Sequence, residues 1–333
     1  MLKDASAPES SSAAASAPAY SVVIPHYTNA ARTLKLVQAI RDADGDSGGG
    51  GAGAAGDIEI VVVDDASPDG SGAAIEDASG ELGIVFLTNE TNRGFSKTMN
   101  RGAALATGAT LVFSNTDIEF TATAPPRAVL SALARALAHD RVGAAMPLVY
   151  NTALGEVENA NDLWANRGLL WLRRLPATRE LSERAIAAVD ATDGGHSISG
   201  GESAPAGEPE RIDSVLCGAF FAMQRMLFLE MGGFDPAFSP YYWEDVELGV
   251  RIGIRGLSVA LATDALALHE HNRSIGAAAS EKRRWAAMQS NQLRITRMWG
   301  RKLGVRRMKP WHLLRALRAL VRGDFDMARE YLL

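Results

Sequence analysis

The chain has 333 residues, with 34 Lys/Arg against 39 Asp/Glu for a net charge of −5. That length suits one large α/β domain with insertions, or two modest domains, around a sizeable core. A single cysteine, Cys217, excludes an intramolecular disulfide framework and a cysteine-built zinc cluster, and points to a reducing compartment.

The charge is uneven. Glu281 to Leu333 holds fourteen Lys/Arg against four Asp/Glu, a net +10, which leaves −15 on residues 1–280. A basic tail on an acidic body reads either as a segment that rests on an anionic surface, such as a membrane, or as a solvated helical face. The opening MLKDASAPESSSAAASAPA lacks the apolar centre of a signal peptide, and no run of about 18 apolar residues occurs, so the chain reads as cytoplasmic and non-spanning.

Residues 1–18 are Ala/Ser/Pro-rich and read as a disordered tail. A strand follows at Tyr20–Pro25, then a helix that Asn29 can cap, to about Arg41. The tract 42–57 is glycine-rich and reads as a flexible loop into the strand of IVVVDDASPDG, residues 60–70. Further units alternate: a helix after Gly70, a strand at Gly83–Thr88, a helix at Gly94–Ala106, a strand at Ala109–Ser114, a helix at Ala128–Ala138 and a strand at Val142–Pro147. Continuously apolar strands alternating with helices predict an α/β fold with a mostly parallel central sheet flanked by helices. Residues 151–211 form a variable insertion, in which LWANRGLLWLRRL reads as an amphipathic helix and the stretch near 191–210 as a mobile loop. The last part, 277–333, reads as a basic helical extension in which HLLRALRALV is amphipathic.

Ligands of such sheets bind beyond the carboxyl ends of the strands, and the polar motifs PHYTN, DDASPD, NETNRG and NTDIE all fall there. The glycines at 48–56 precede a strand and lack the Lys-Ser/Thr ending of a phosphate loop, and strand one is not followed by G-x-G-x-x-G. Asp64 and Asp65 at a strand end suit recognition of a base or ribose, with Asp69 as the helix cap. Asn115 and Asp117 follow the fourth strand, where a carboxylate can hold a divalent cation against a diphosphate. Gly232–Ile252 gathers aromatics, Tyr242 and Trp243 among them, with Glu244, Asp245 and Glu247. Aromatic faces suit sugar rings, and an acid among them suits a general base. His269 and His271 alternate on an extended segment, so that one can complete a metal site with Asp117.

In this order, SVVIPHYTN, IVVVDDASPDGS, NRGFSKTMNRGAALATGATLVFSNTD, CGAFFAMQRMLFLEMGGFDPAF, WEDVELGVR and LHEHNRSIG resemble the family 2 glycosyltransferases of GT-A fold, in their rhamnosyltransferase-like and galactofuranosyltransferase-like branch. The resemblance spans about Tyr20 to Gly276, within a catalytic domain at 19–276. It implies that Pro25, Tyr27, Asp64 and Asp65 line a base and ribose pocket, with Asn92, Gly94, Phe95, Lys97 and Asn100 as its neighbouring wall and Asn115 beside it. It further implies Asp117 and His269 as ligands of Mg2+ or Mn2+, Asp245 as general base with Glu244 its acidic neighbour, and Trp243 and Tyr242 against sugar or acceptor. Asn115 stands where a first acid is often found.

The implied activity is inverting, metal-dependent transfer from a dTDP- or UDP-sugar to a hydroxyl of a glycan or polyprenyl-linked acceptor, in bacterial cell-surface polysaccharide synthesis. Peripheral contact with the anionic inner membrane is expected, and nucleic acid is not an expected partner. A sugar-phosphate nucleotidyltransferase would need a Gly-rich, basic loop after strand one, which PHYTNAAR does not supply. A non-catalytic nucleotide or sugar binding module is the remaining alternative.

Overall fold

The structure is a computed structural model that describes residues 18–45, 57–166, 169–193, 211–270, 281–305, 314–315, 317–319 and 321. The tail at 1–17, most of the glycine tract, the stretch 194–210, His271 and most of the chain beyond 305 lie outside the described residues, and with them the expectations placed there.

The amino-terminal half alternates as its sequence pattern predicts: β1 (Tyr20–His26), α1 (Ala30–Gly45), β2 (Ile58–Asp64), α2 (Ser71–Leu82), β3 (Ile84–Thr88), α3 (Phe95–Leu105) and β4 (Thr110–Ser114). Next come the short β5 (Ile118–Glu119), α4 (Pro126–Leu137), β6 (Val142–Asn151), β7 (Glu156–Val157), β8 (Asn161–Asn166), β9 (Leu169–Arg174) and α5 (Thr178–Asp193). The remainder is β10 (Arg211–Asp213), β11 (Phe220–Gln224), α6 (Arg225–Glu230), α7 (Glu244–Ile254), β12 (Ser258–His269) and α8 (Glu281–Trp299).

One sheet runs in the order β10-β12-β6-β11-β4-β1-β2-β3, with β5 and β7 attached to β12 and β6. The run β4-β1-β2-β3 is parallel, as is β6 with β12, while β11 is antiparallel to both of its neighbours. The chain first steps outward from β1 to β3 and then returns to β1's other side at β4, so strand order reverses between β1 and β4. A crevice opens at the carboxyl ends of strands where order reverses in this way.

Alternation along each strand feeds two cores. Val22, Ile24, Ile60 and Val62 pack on one face with Leu36, Val37 and Leu133, whereas Val23, Val61 and Val63 pack on the other with Met99, Phe113 and Phe228. Burial on both faces explains why these strands read as unbroken apolar runs. At Gly102 in α3 a Cβ would stand 2.5 Å from Val23 Cγ1 and 3.1 Å from Val63 Cγ2, so the missing side chain lets the helix lie close on β1 and β2.

LWANRGLLWLRRL is not a helix. It contributes β8 and β9, an antiparallel pair whose register runs from Asn161 opposite Arg174 to Asn166 opposite Leu169. The Asn-Arg-Gly at 166–168 is a turn signal that outweighs the helical spacing of the leucines. α8 supplies the tertiary partner, because Gln292 Nε2 donates to Leu170 O at 2.7 Å and Leu170 N donates to Thr296 Oγ1 at 3.1 Å. None of the described helices is long and apolar enough to cross a membrane.

Candidate active site at the strand ends

A cavity of about 540 Å³ opens at the carboxyl edge of β1, β2 and β4. Pro25, Tyr27, Asp65, Asn92, Gly94 and Asn115 line one part of it, Asp117 and His269 another, and Tyr242, Trp243, Glu244 and Asp245 a third. Asp64 and Lys97 do not line it.

The paired acids at the end of β2 have separate jobs. Asp65 accepts from Asn89 Nδ2 at 2.8 Å, from Arg93 N at 2.7 Å and from Gly94 N at 2.9 Å, so it shapes the loop entering α3 while facing the cavity. Asp64, expected at the nucleotide, turns the other way: its carboxylate takes the backbone N–H and hydroxyl of Ser67 and lies against Gly72, closing the turn into α2. Consecutive residues at a strand end point to opposite faces. Lys97 is exposed on α3, away from the expected pocket wall. Asp69 accepts from Ser71 N at 3.1 Å and Asn29 N at 3.0 Å, tying the start of α2 to the loop after β1; its exposed carboxyl is lowered to about 2, chiefly by the Ser71 hydroxyl.

Asp117 and His269 are far apart in sequence and meet through pairing. β5 runs antiparallel to the end of β12 with Ile118 opposite His269, and Glu270 N donates to Asp117 O at 3.0 Å. His269 Nε2 then lies 3.2 Å from Asp117 Oδ1, and both side chains are buried. On the other side of the ring, Nδ1 lies 2.6 Å from Glu158 Oε1. Burial alone would depress the His269 pKa; the hydrogen bonds and charges of Asp117 and Glu158 overcome it and raise it to about 9. The pocket therefore favours positive charge at this point.

Glu158 itself is fixed by Asn151 Nδ2, which donates to Oε2 at 2.8 Å, and by its own N–H on Val149 O at 2.9 Å. Nothing in the sequence singled it out, since it lies in the variable insertion beside a two-residue strand, and the pairing of β7 with β6 and of β6 with β12 brings it to the histidine.

Among the described residues no three His, Cys, Asp or Glu side chains form a complete metal cluster. The donor set nevertheless fits a divalent cation held jointly with a ligand. Asp117 offers a hard oxygen and His269 an imidazole nitrogen, and a carboxylate behind the ring fixes its tautomer, the usual arrangement around a metal-binding histidine.

On the far wall, Asp245 opens α7. Its Oδ2 accepts from Gly218 N at 2.7 Å and its Oδ1 from Val246 N at 2.7 Å, while part of its surface faces the cavity. Burial raises its pKa against the lowering effect of those bonds. Glu244 is buried with Oε2 making no hydrogen bond, and burial followed by the charge of Asp245 pushes its carboxyl well above the usual range. The two neighbouring carboxyls therefore titrate as a pair, with burial favouring their protonated forms.

Tyr242 (φ 76°) and Trp243 (φ 73°), immediately before these acids, are both left-handed. Such backbone costs on the order of 1–3 kcal/mol per non-glycine residue and persists only where the surroundings enforce it. The enforcing contacts converge from three sides. Phe95 N donates to Pro240 O at 3.0 Å, and Trp243 packs with Leu170, Val246 and Ile295. Asn291 of α8, another residue missed in the sequence, binds the carbonyls of the segment. At Gly94 (φ 79°) a Cβ would stand 2.9 Å from Pro240 Cα and O, so only glycine lets the two loops touch.

The Glycosyl transferase family 2 model matches residues 21–199, more than half of the chain, and the model described as Glycosyltransferase like family 2 matches residues 204–287. No curated protein sequence matches the chain. Among solved structures, the fold resembles GalNAc-T7 with UDP, GalNAc and Mn2+, at TM-score 0.55 and 16% identity, covering 85% of this chain and 48% of that one. It also resembles the mannosyltransferase PcManGT from Pyrobaculum calidifontis in complex with GDP-Man and Mn2+, at TM-score 0.51 and 15% identity, covering 96% of this chain and 75% of that one. The chain thus spans about half the length of GalNAc-T7. With the strand reversal between β1 and β4 and the family match running through β1 to β9, the chain belongs to glycosyl transferase family 2 and has the GT-A fold.

Proposed function

We propose that the chain transfers a sugar from a UDP- or dTDP-linked donor to a hydroxyl of a glycan or polyprenyl-linked acceptor, with inversion at the anomeric carbon. The observation that carries this reading is that one cavity is lined both by the Asp117–His269 pair and by Asp245, which comes from a different segment of the chain. The two solved relatives that hold a nucleotide or nucleotide sugar with Mn2+ make those the first probes.

In this reading the nucleotide lies along Pro25, Tyr27, Asp65 and Asn92, at the strand ends, where Asp65 holds the Arg93–Gly94 backbone in place. Asp117 and His269 would hold Mg2+ or Mn2+, whose charge offsets the negative charge gathering on the departing diphosphate. Asp245 accepts the proton of the acceptor hydroxyl; the freed oxygen bonds to the anomeric carbon as the bond from that carbon to the diphosphate oxygen breaks on the opposite face. One displacement of this kind inverts the centre. Gly218 N and Val246 N fix the carboxylate so that little reorganisation is left for the reaction. Tyr242 and Trp243 flank it with aromatic surface suited to a sugar ring.

The decisive experiment is a panel of sugar nucleotides assayed with and without Mn2+ on wild type, Asp117→Ala and Asp245→Asn. Metal-dependent turnover, lost in Asp245→Asn with nucleotide binding intact, supports the reading; full transfer by Asp245→Asn overturns the base assignment. We further propose that the setting is bacterial surface-polysaccharide synthesis, in the rhamnosyl- or galactofuranosyl-transferring branch, with the basic tail resting peripherally on the cytoplasmic face of the inner membrane. Deleting residues beyond Pro310 then weakens sedimentation with anionic vesicles, and unchanged sedimentation sinks the membrane part.

A further inference from the structure

The segment that delivers the catalytic acids is held by one side chain from outside the sheet domain. Asn291, buried in the middle of α8, donates through Nδ2 to Phe238 O at 2.8 Å, Tyr241 O at 3.1 Å and Tyr242 O at 2.9 Å. These three carbonyls bracket the turn that ends in left-handed Tyr242 and Trp243, and the next two residues are Glu244 and Asp245. The two N–H groups of a single amide are thus shared among three carbonyls of a conformation that the aromatic side chains themselves disfavour.

The rest of α8 reinforces that grip on either side. Trp299 Nε1 donates to Glu247 Oε1 at 3.1 Å one turn into α7, and Gln292 and Thr296 bind the two polar groups of Leu170. Glu247 is in turn paired with Arg251 at 2.8 Å, whose guanidinium also donates to Met231 O and Gly233 O. On the cavity side, Phe95 N at 3.0 Å from Pro240 O and the close approach of Gly94 to Pro240 link the same segment to the loop held by Asp65.

We infer that Asn291 is a positioning residue for the general base: by fixing the 238–242 carbonyls it sets where Asp245 stands relative to the donor site, so that α8 belongs to the catalytic machinery. This rests on the role given to Asp245 above. The inference separates two functions. The nucleotide wall is built chiefly by β1, β2 and the Asp65-held loop, whereas the segment before the base is the part that Asn291 binds directly.

The test compares Asn291→Ala and Asn291→Asp, which keeps the shape but presents oxygen to three carbonyls, with Arg294→Ala, at an exposed position of the same helix, as a control. Two readouts are used: amide hydrogen exchange across 238–247, and steady-state kinetics with whichever of UDP-glucose, UDP-galactose or dTDP-rhamnose the wild type consumes with Mn2+. Both Asn291 variants are expected to speed exchange in 238–247 while leaving β1–β4 protected. They are expected to lower kcat about 100-fold with the donor KM nearly unchanged, and Arg294→Ala to do neither. Unchanged exchange in 238–247 overturns the positioning role; faster exchange with unchanged kcat overturns its link to the base. Absence of turnover by wild type with every donor counts against the proposed function instead, and the exchange data still decide whether Asn291 holds the segment.

Discussion

Glu158 Oε1 stands 2.6 Å from Nδ1 of His269, the ring nitrogen that faces away from Asp117. A carboxylate in that position fixes the ring and raises the basicity of the opposite nitrogen, and losing such a partner typically weakens metal binding by about 10- to 100-fold. Glu158→Ala should therefore raise the Mn2+ concentration needed for half-maximal turnover by about that factor, while binding of UDP without metal stays as in wild type. A titration of Mn2+ against rate, with calorimetry of UDP alone, checks both parts.

Asp65 and Asp64 should differ in what their loss affects. Removing Asp65 leaves the N–H groups of Arg93 and Gly94 without their acceptor, at a cost of about 1–3 kcal/mol for each one that stays buried. Asp65→Ala should lower both the melting temperature and the affinity for UDP or dTDP. Asp64→Ala should lower the melting temperature, since Ser67 loses its acceptor, with nucleotide affinity close to wild type. Equal losses of affinity in the two variants would contradict the assignment.

Acid titration supplies a third test. Burial raises the carboxyl pKa of both Asp245 and its neighbour Glu244. With Asp245 as the proposed base, the rate should climb with pH as that carboxyl ionises, and Glu244→Gln should keep the acid limb. Stability runs the opposite way. Because the unfolded chain releases these protons at lower pH than the fold does, the protein loses stability as pH rises from the unfolded pKa to the folded one, and the loss persists above it. Glu244→Gln should accordingly raise the melting temperature more at pH 8 than at pH 5, as thermal melts at the two values would show.

Packing under the site is tight enough for a methyl group to matter. A Cβ at Gly102 would meet Val23 Cγ1 at 2.5 Å, so Gly102→Ala must displace α3 or the strand beneath it. Overpacking of this kind costs about 1–3 kcal/mol, measurable by denaturant unfolding, and should weaken nucleotide binding modestly, because α3 begins at the loop that Asp65 holds.

Much of this architecture is legible in the chain itself. The runs Val61–Val63 and Leu111–Phe113 are apolar without interruption because both faces of β2 and β4 are covered, and that local signal fixes the layers, the alternation and the edge on which the polar motifs gather. Asn115, Asp117, Asp245 and His269 were legible because their residue types follow strand ends or open a helix. What only the tertiary structure decided were relations between distant segments. Asp64 and Asp65 are chemically identical, and only the direction of each side chain at the end of β2 assigns one to the turn and the other to the cavity. Glu158 reaches His269 through β6–β7 and β6–β12 pairing, and Asn291 reaches Tyr242 through the packing of α8. The stretch 161–174 becomes a strand pair in contact with that helix, although its leucines also fit a helical period. Local patterns encode period and burial; register and long-range packing choose the partner, because they depend on every element in the sheet at once.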